Sequence, residues 1–174
     1  MEVQLKYLLM EQEKINYYLF NDEIDTKNVN NLIDKLNTLE GKVRLYFSTY
    51  GGHTFVMEYL LDYLNSRKDE ITIILTSKVH SAGTDILLDF KGKIEISQID
   101  TILFHLADRE TLNFRKDDYA SSAKKLKKQD KKYNKDYIEK CRNKNLLTEK
   151  QLNNLAKGKN VVVYEKQIKK WKLN

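Results

Sequence analysis

Val43-Arg44-Leu45-Tyr46-Phe47-Ser48-Thr49-Tyr50-Gly51-Gly52, followed 29 residues after Gly52 by Ser81-Ala82-Gly83, decides how this chain reads. An apolar run that ends on a glycine pair is a strand entering a turn that demands backbone freedom. A second run, Ile71-Thr72-Ile73-Ile74-Leu75, precedes the Ser-Ala-Gly. A third, Thr101-Ile102-Leu103-Phe104, ends on His105, 24 residues past Ser81. Glycines at a strand end let backbone N–H groups turn outward, where they bind an oxyanion. A serine that opens a helix lies at that helix's positive end, and a histidine at the next strand's tip is placed to take its proton. Together these features point to serine-dependent hydrolysis.

The flanking sequence supplies a frame for this region. Residues 1–14 read as an N-terminal arm and Ile15–Phe20 as a first strand. Asp25 or Thr26 caps a helix whose Val29, Leu32, Ile33, Leu36 and Leu39 follow the 3.6-residue period until Gly41 stops it. A second helix from Thr54 to Ser66 carries Phe55, Val56, Tyr59, Leu60, Tyr63 and Leu64. The segment from Ser81 to about Phe90 reads as a third helix, and Lys93–Ile96 and Thr101–Phe104 as two strands. Beyond a long basic helix lie a helix near Thr148–Ala156, a strand Val161–Val163 and a last helix Tyr164–Trp171. Alternating strands and helices imply an α/β domain with a parallel sheet. There is no proline, repeat or linker-like stretch, so 15–174 reads as one domain.

Composition narrows the function classes. A chain of 174 residues, 41% hydrophobic and 32% charged, has the apolar content for a sizeable core. No stretch approaches the roughly 18 apolar residues of a membrane span. Tyr7-Leu8-Leu9-Met10 is cut off by Glu11, so no secretory apolar region is expected. The single cysteine, Cys141, excludes an internal disulfide and fits a reducing cytoplasm. The net charge of +6 is local: residues 115–150 hold 13 Lys or Arg against 6 Asp or Glu. There Leu126, Tyr133, Tyr137, Ile138 and Cys141 recur at helical spacing, which makes the segment an amphipathic helix with a solvated basic face. No zinc-ligand spacing and no aromatic RNA-stacking motif accompanies it, so neither metal nor nucleic acid is expected.

These residues resemble the ClpP family of ATP-dependent serine peptidases, within the crotonase-like superfamily. Tyr46-Phe47-Ser48-Thr49-Tyr50-Gly51-Gly52 is similar to that family's strand ending in Ser-Pro-Gly-Gly, and Ser81-Ala82-Gly83 to its Ser-Met-Gly turn. Lys91-Gly92-Lys93 matches a Lys-Gly-Lys before its next strand, and Leu103-Phe104-His105 resembles the strand that delivers its histidine. The likeness spans about Ile15 to Leu173. It implies repeated β-β-α units and a long handle helix, in a handle region of about residues 106–147. It makes Ser81 the nucleophile, His105 the general base, and the N–H groups of Gly52 and Ala82 the oxyanion hole. No cofactor is implied. Residue by residue, other readings stand beside these: Ser81 as an ordinary helix cap, and His80 or His53 as the base.

Several positions depart from the family pattern. Its third catalytic residue is an aspartate, and here Asn160 falls at that place. An asparagine carbonyl can hold the imidazole tautomer but cannot offset the charge of the imidazolium; the same exchange in a trypsin-type triad costs about 10⁴ in turnover. The N-terminal arm is short for a segment that docks an AAA+ unfoldase, and the loop from Leu106 to Phe114 lacks the family's Gln-Pro. Lys172 stands where a glycine is usual. Copies of the basic helix repel one another unless Asp117, Asp118, Asp130 and Asp136 pair across an interface. The expectation is a cytoplasmic peptidase subunit that cleaves unfolded polypeptide in a homo-oligomeric ring, heptameric or tetradecameric, with an AAA+ partner. The alternatives are a weak or inactive subunit of a mixed ring, and a crotonase-type acyl-CoA enzyme.

Overall fold

A computed structural model describes residues 14–107, 119–171 and 173, with the side chains of 119–127 outside the description. Five strands form one sheet in the order β1-β2-β3-β4-β5, namely β1 Ile15–Asn21, β2 Lys42–Thr49, β3 Ile71–His80, β4 Lys93–Phe104 and β5 Val161–Tyr164. The first four run parallel and β5 closes antiparallel on β4. Crossovers are α1 Thr26–Asn37, α2 Thr54–Ser66, and a 3₁₀ turn Ser81–Thr84 leading into α3 Asp85–Asp89. After β4 come α4 Tyr119–Asn143, α5 Glu149–Ala156 and, after β5, α6 Glu165–Ile168. The α/β class is that read from the sequence, but the sheet is mixed rather than parallel, because β5 runs antiparallel to β4. The N-terminal arm, the 108–114 part of the loop after His105, and Asp117, Asp118 and Lys172 lie outside the described residues.

Strands added in sequence order by right-handed crossovers place all their helices on one face of the sheet. The burial pattern follows that rule. Val43, Leu45, Phe47, Ile71, Ile73 and Leu75 point into the helical layer and are buried, whereas Ile15, Tyr17 and Leu19 of β1 point the other way and are exposed. On the open face Glu95 accepts a 2.5 Å ion pair from Arg44 and a 2.7 Å one from Lys93. From Phe20 to Ile168 the buried hydrophobic residues, Ile74 excepted, form one continuous cluster. Among the described residues no helix is long and apolar enough to cross a membrane.

Local chemistry accounts for the helix boundaries. Asp25 caps α1, its Oδ1 accepting from the Asn28 N–H at 2.7 Å. Thr148 and Gln151 form a reciprocal capping box on α5. Arg67, just past α2, donates to the Leu36 and Leu39 carbonyls and so satisfies the end of α1.

Four elements differ from the sequence reading. The buried stripe of α2 contains Met57 and Leu61, while Phe55 and Tyr59 are 64% and 53% exposed. Lys93–Ile96 and Thr101–Phe104 belong to one strand, β4, whose exposed middle (Ser97, Gln98) imitates a break. Strand β3 runs on to His80 through register shifts around Ser77, a residue at φ +55°. The final helix ends at Ile168, three residues before Trp171.

Phe47 is the largest fully buried side chain at the centre of this layer and stacks on Phe20 at 5.3 Å between ring centroids. Phe47→Ala is expected to cost about 3–5 kcal/mol, read as a lowered urea midpoint at unchanged slope. A loss under about 1 kcal/mol would contradict this packing.

Candidate active site

The C-terminal ends of adjacent parallel strands bring the two glycine-bearing segments together. After β2 the chain turns through Gly51 at φ +102° and Gly52 at φ +148°, both outside the range that side chains favour. Hydrogen bonds lock the turn. The Gly51 N–H donates to Thr49 Oγ1 at 2.9 Å, and the Gly51 carbonyl accepts from Ile24 N–H at 2.8 Å. The Ile24 carbonyl in turn accepts from His53 N–H at 2.9 Å. This bridge uses the groups on either side of Gly52 and leaves the Gly52 N–H facing away from Ile24.

Ser81 follows β3 directly and lies at φ +54°, in the left-handed region that a non-glycine residue seldom occupies. It is not a helix cap. His80 holds the cap position of the 3₁₀ turn without a side-chain bond, and Ser81 Oγ lies 2.5 Å from His105 Nε2. His105, next after the end of β4, is therefore the imidazole that meets the serine. The other two histidines are engaged elsewhere. His80 Nε2 is 2.8 Å from Thr101 Oγ1, and burial, with Lys78 adding to it, lowers the His80 pKa. The His53 ring stacks against Phe55 at 5.4 Å.

Ala82 is buried in the first turn after Ser81, where the opening N–H groups of a helix have no partner within it. Gly51 stands against Ser81, and Gly52 and Ala82 are the residues that follow each of them along the chain. Asn160 immediately precedes β5. Continuing the β4–β5 ladder past Phe104↔Val161 sets it opposite His105. Its side chain is exposed, and among the described residues no hydrogen bond joins it to the ring. The structure brings Ser81 and His105 into contact, and Asn160 stands at the entry to β5, one residue before the end of the β4–β5 ladder.

Beneath the serine lies a polar cluster that the sequence reading passed over. Thr84 and Asp85 are buried, and α4 covers them with two stacked tyrosines, Tyr133 and Tyr137. Tyr133 OH donates to Asp85 Oδ2 at 2.9 Å. Periodicity identified both tyrosines as inward-facing but is silent on their hydroxyls. The available signal was Thr84-Asp85 itself, two polar residues in front of Ile86-Leu87-Leu88. Cys141, fully buried on the same helix, has its thiol pushed up to about 12 by burial and by Asp85, and is no nucleophile in this state.

Burial pushes the Asp85 carboxyl up to about 7; the Tyr133 hydrogen bond and Lys140 oppose that shift, and Asp89 and Glu58 add to it. Between the ordinary aspartate value and about 7 the unfolded chain has lost this proton and the folded chain keeps it. Stability therefore falls as pH rises through that window, by at most about 1.4 kcal/mol per unit. Asp85→Asn should abolish this slope. Relative to the parent, the variant is expected to gain stability steadily from pH 4 to 7 in urea titrations, with no further gain above. Parallel pH curves for the two proteins would show that Asp85 ionises freely.

Compared with known proteins, the chain matches no protein-family model and no curated protein.

Proposed function

We propose that the chain is a serine peptidase subunit of the ClpP-like kind, with Ser81 as nucleophile and His105 as general base. One observation carries the reading: a serine in the left-handed conformation at a strand-to-helix junction, its Oγ 2.5 Å from an imidazole nitrogen. Strain of this sort persists where surrounding structure over-determines it, and it clusters at reacting groups. In the reaction His105 Nε2 takes the Ser81 hydroxyl proton as Oγ attacks the peptide carbonyl. The oxyanion is held by the N–H groups of Gly52 and Ala82. His105 then returns the proton to the leaving amine, and water releases the acyl group by the same steps.

Assembly and partners belong to the same proposal. A parallel sheet normally has both faces covered, and here Ile15, Tyr17 and Leu19 on the open face are 49%, 63% and 61% exposed. That favours a ring of copies, with α4 in the role of the handle helix, unfolded polypeptide as substrate and an AAA+ unfoldase as the partner that delivers it. A cytoplasmic setting suits the free, buried Cys141. A second reading, a weakly active or inactive subunit of a mixed ring, is favoured by the exposed Asn160 side chain, which makes no hydrogen bond to His105 among the described residues.

Fluorophosphonate labelling combined with native mass measurement tests the proposal. Labelling is expected at Ser81 in a ring-sized species, and Ser81→Ala or His105→Ala should abolish it while leaving the fold intact. An unlabelled monomer at micromolar concentration, in low and moderate salt alike, would overturn it.

Asn160→Asp separates the two readings. A carboxylate opposite His105 would hold the productive tautomer and stabilise the imidazolium, raising peptide hydrolysis on the order of 10²-fold or more. A variant that folds and assembles yet gains nothing would mean that Asn160 does not act on His105.

A further inference from the structure

The left-handed Ser81 is gripped from two sides, and only one grip belongs to the strand ends. On one side Gly51 packs against it. On the other, Thr84 Oγ1 donates to the Ser81 carbonyl at 2.6 Å, and Tyr137 OH lies 2.5 Å from Thr84 Oγ1. The Thr84 hydroxyl has one proton. It is committed to the Ser81 carbonyl, so Tyr137 is the donor to Thr84. The result is a directed relay, Tyr137 O–H to Thr84 O–H to the Ser81 carbonyl, whose two hydroxyl-bearing residues are buried: Thr84 is 0% and Tyr137 4% exposed.

We propose that Thr84 and Tyr137 are positioning residues: their hydroxyl relay clamps the Ser81 peptide so that its Oγ meets His105. Three observations support this beyond the satisfaction of buried hydroxyls. The relay ends on the backbone of the one strained residue that bears the reactive hydroxyl. It starts on α4, 53 residues further along the chain than Thr84, so a tertiary contact holds a local turn. Tyr133, stacked on Tyr137 at 6.1 Å, fixes the neighbouring Asp85 from the same helix, which leaves the turn little room to rotate. The relay rests on the peptidase reading for its catalytic consequence alone; its effect on the Ser81–His105 contact is independent of it.

The test reads that contact directly, through the imidazole ¹⁵N resonances of His105 and their pH titration, with Ser81→Ala marking the uncoupled ring. Thr84→Val, which keeps the shape and removes the hydroxyl, is expected to move the His105 signals to those of Ser81→Ala. It should also slow fluorophosphonate labelling on the order of 10²-fold, the cost of an ångström-scale misplacement. Thr84→Ser should restore both, and Tyr137→Phe should fall between. If Thr84→Val fails to fold because Tyr137 OH is left unpaired, the double variant Thr84→Val/Tyr137→Phe, which removes both hydroxyls, carries the same expectation. A folded Thr84→Val or double variant with the parent's His105 signals overturns the proposal, as does a Ser81→Ala protein whose His105 signals do not change. If His105 responds to Thr84 while the parent is never labelled, the relay stands and the peptidase reading falls.

Discussion

Residue 51 carries no Cβ, and the rest of the site depends on that absence. A methyl placed there would lie 2.4 Å from Ser81 Cβ, 2.8 Å from the His80 carbonyl and 3.0 Å from Ser81 Oγ. Adjacent parallel strands stand about 4.8 Å apart, so the segments leaving β2 and β3 emerge side by side and compete for the same space. Glycine resolves the competition. It lets the β2 turn close over the serine, and its positive φ lets the chain fold back to bridge Ile24. The approach lies at the carboxyl ends of the strands, the end at which open α/β sheets gather their ligands.

From that contact outward, each layer holds the next. Thr49 and Ile24 brace the glycine turn through backbone and hydroxyl bonds. The turn supports Ser81 from one side, and α3 with α4 supports it from below. Such support is needed because a left-handed residue with a side chain costs roughly 1–2 kcal/mol. The apolar core supplies rigidity rather than chemistry: Ile86, Leu87 and Leu88 bury the helix that follows the serine. The Lys140 ammonium, paired with Asp89 at 2.8 Å and Asp136 at 3.1 Å, pins the outer side of the same helix pair.

What was legible in the sequence was whatever burial and backbone freedom impose on residue order. Leu32, Leu36, Val43, Leu45, Ile71 and Ile73 face the core as their periods require, and the 24-residue spacing of Ser81 and His105 predicted a meeting that the fold delivers. The failures have physical causes. Ser97 and Gln98 look like a turn because they are polar, yet a strand crossing open sheet surface tolerates polar residues. Phe55 and Tyr59 look like core because they are aromatic, but aromatic content does not tell which side of a helix meets the sheet. Thr84, Asp85, Tyr133 and Tyr137 were invisible as a group because hydrogen bonds between residues about 50 positions apart leave no periodic trace. Asn160 falls at the place of the family's aspartate, and extending the ladder register by one residue sets it opposite His105, but register does not aim a side chain.

Cys141 sits one helical turn beyond Tyr137 with none of its surface exposed, and it is the only sulfhydryl in the chain. While α4 is seated, both burial and a high pKa keep that sulfur protonated and out of reach. It meets an alkylating reagent only in the fraction of molecules whose helix has lifted, so the rate of thiol capture counts openings. The protein thus holds an internal clock for α4, the helix on which the serine turn rests, readable without any substrate.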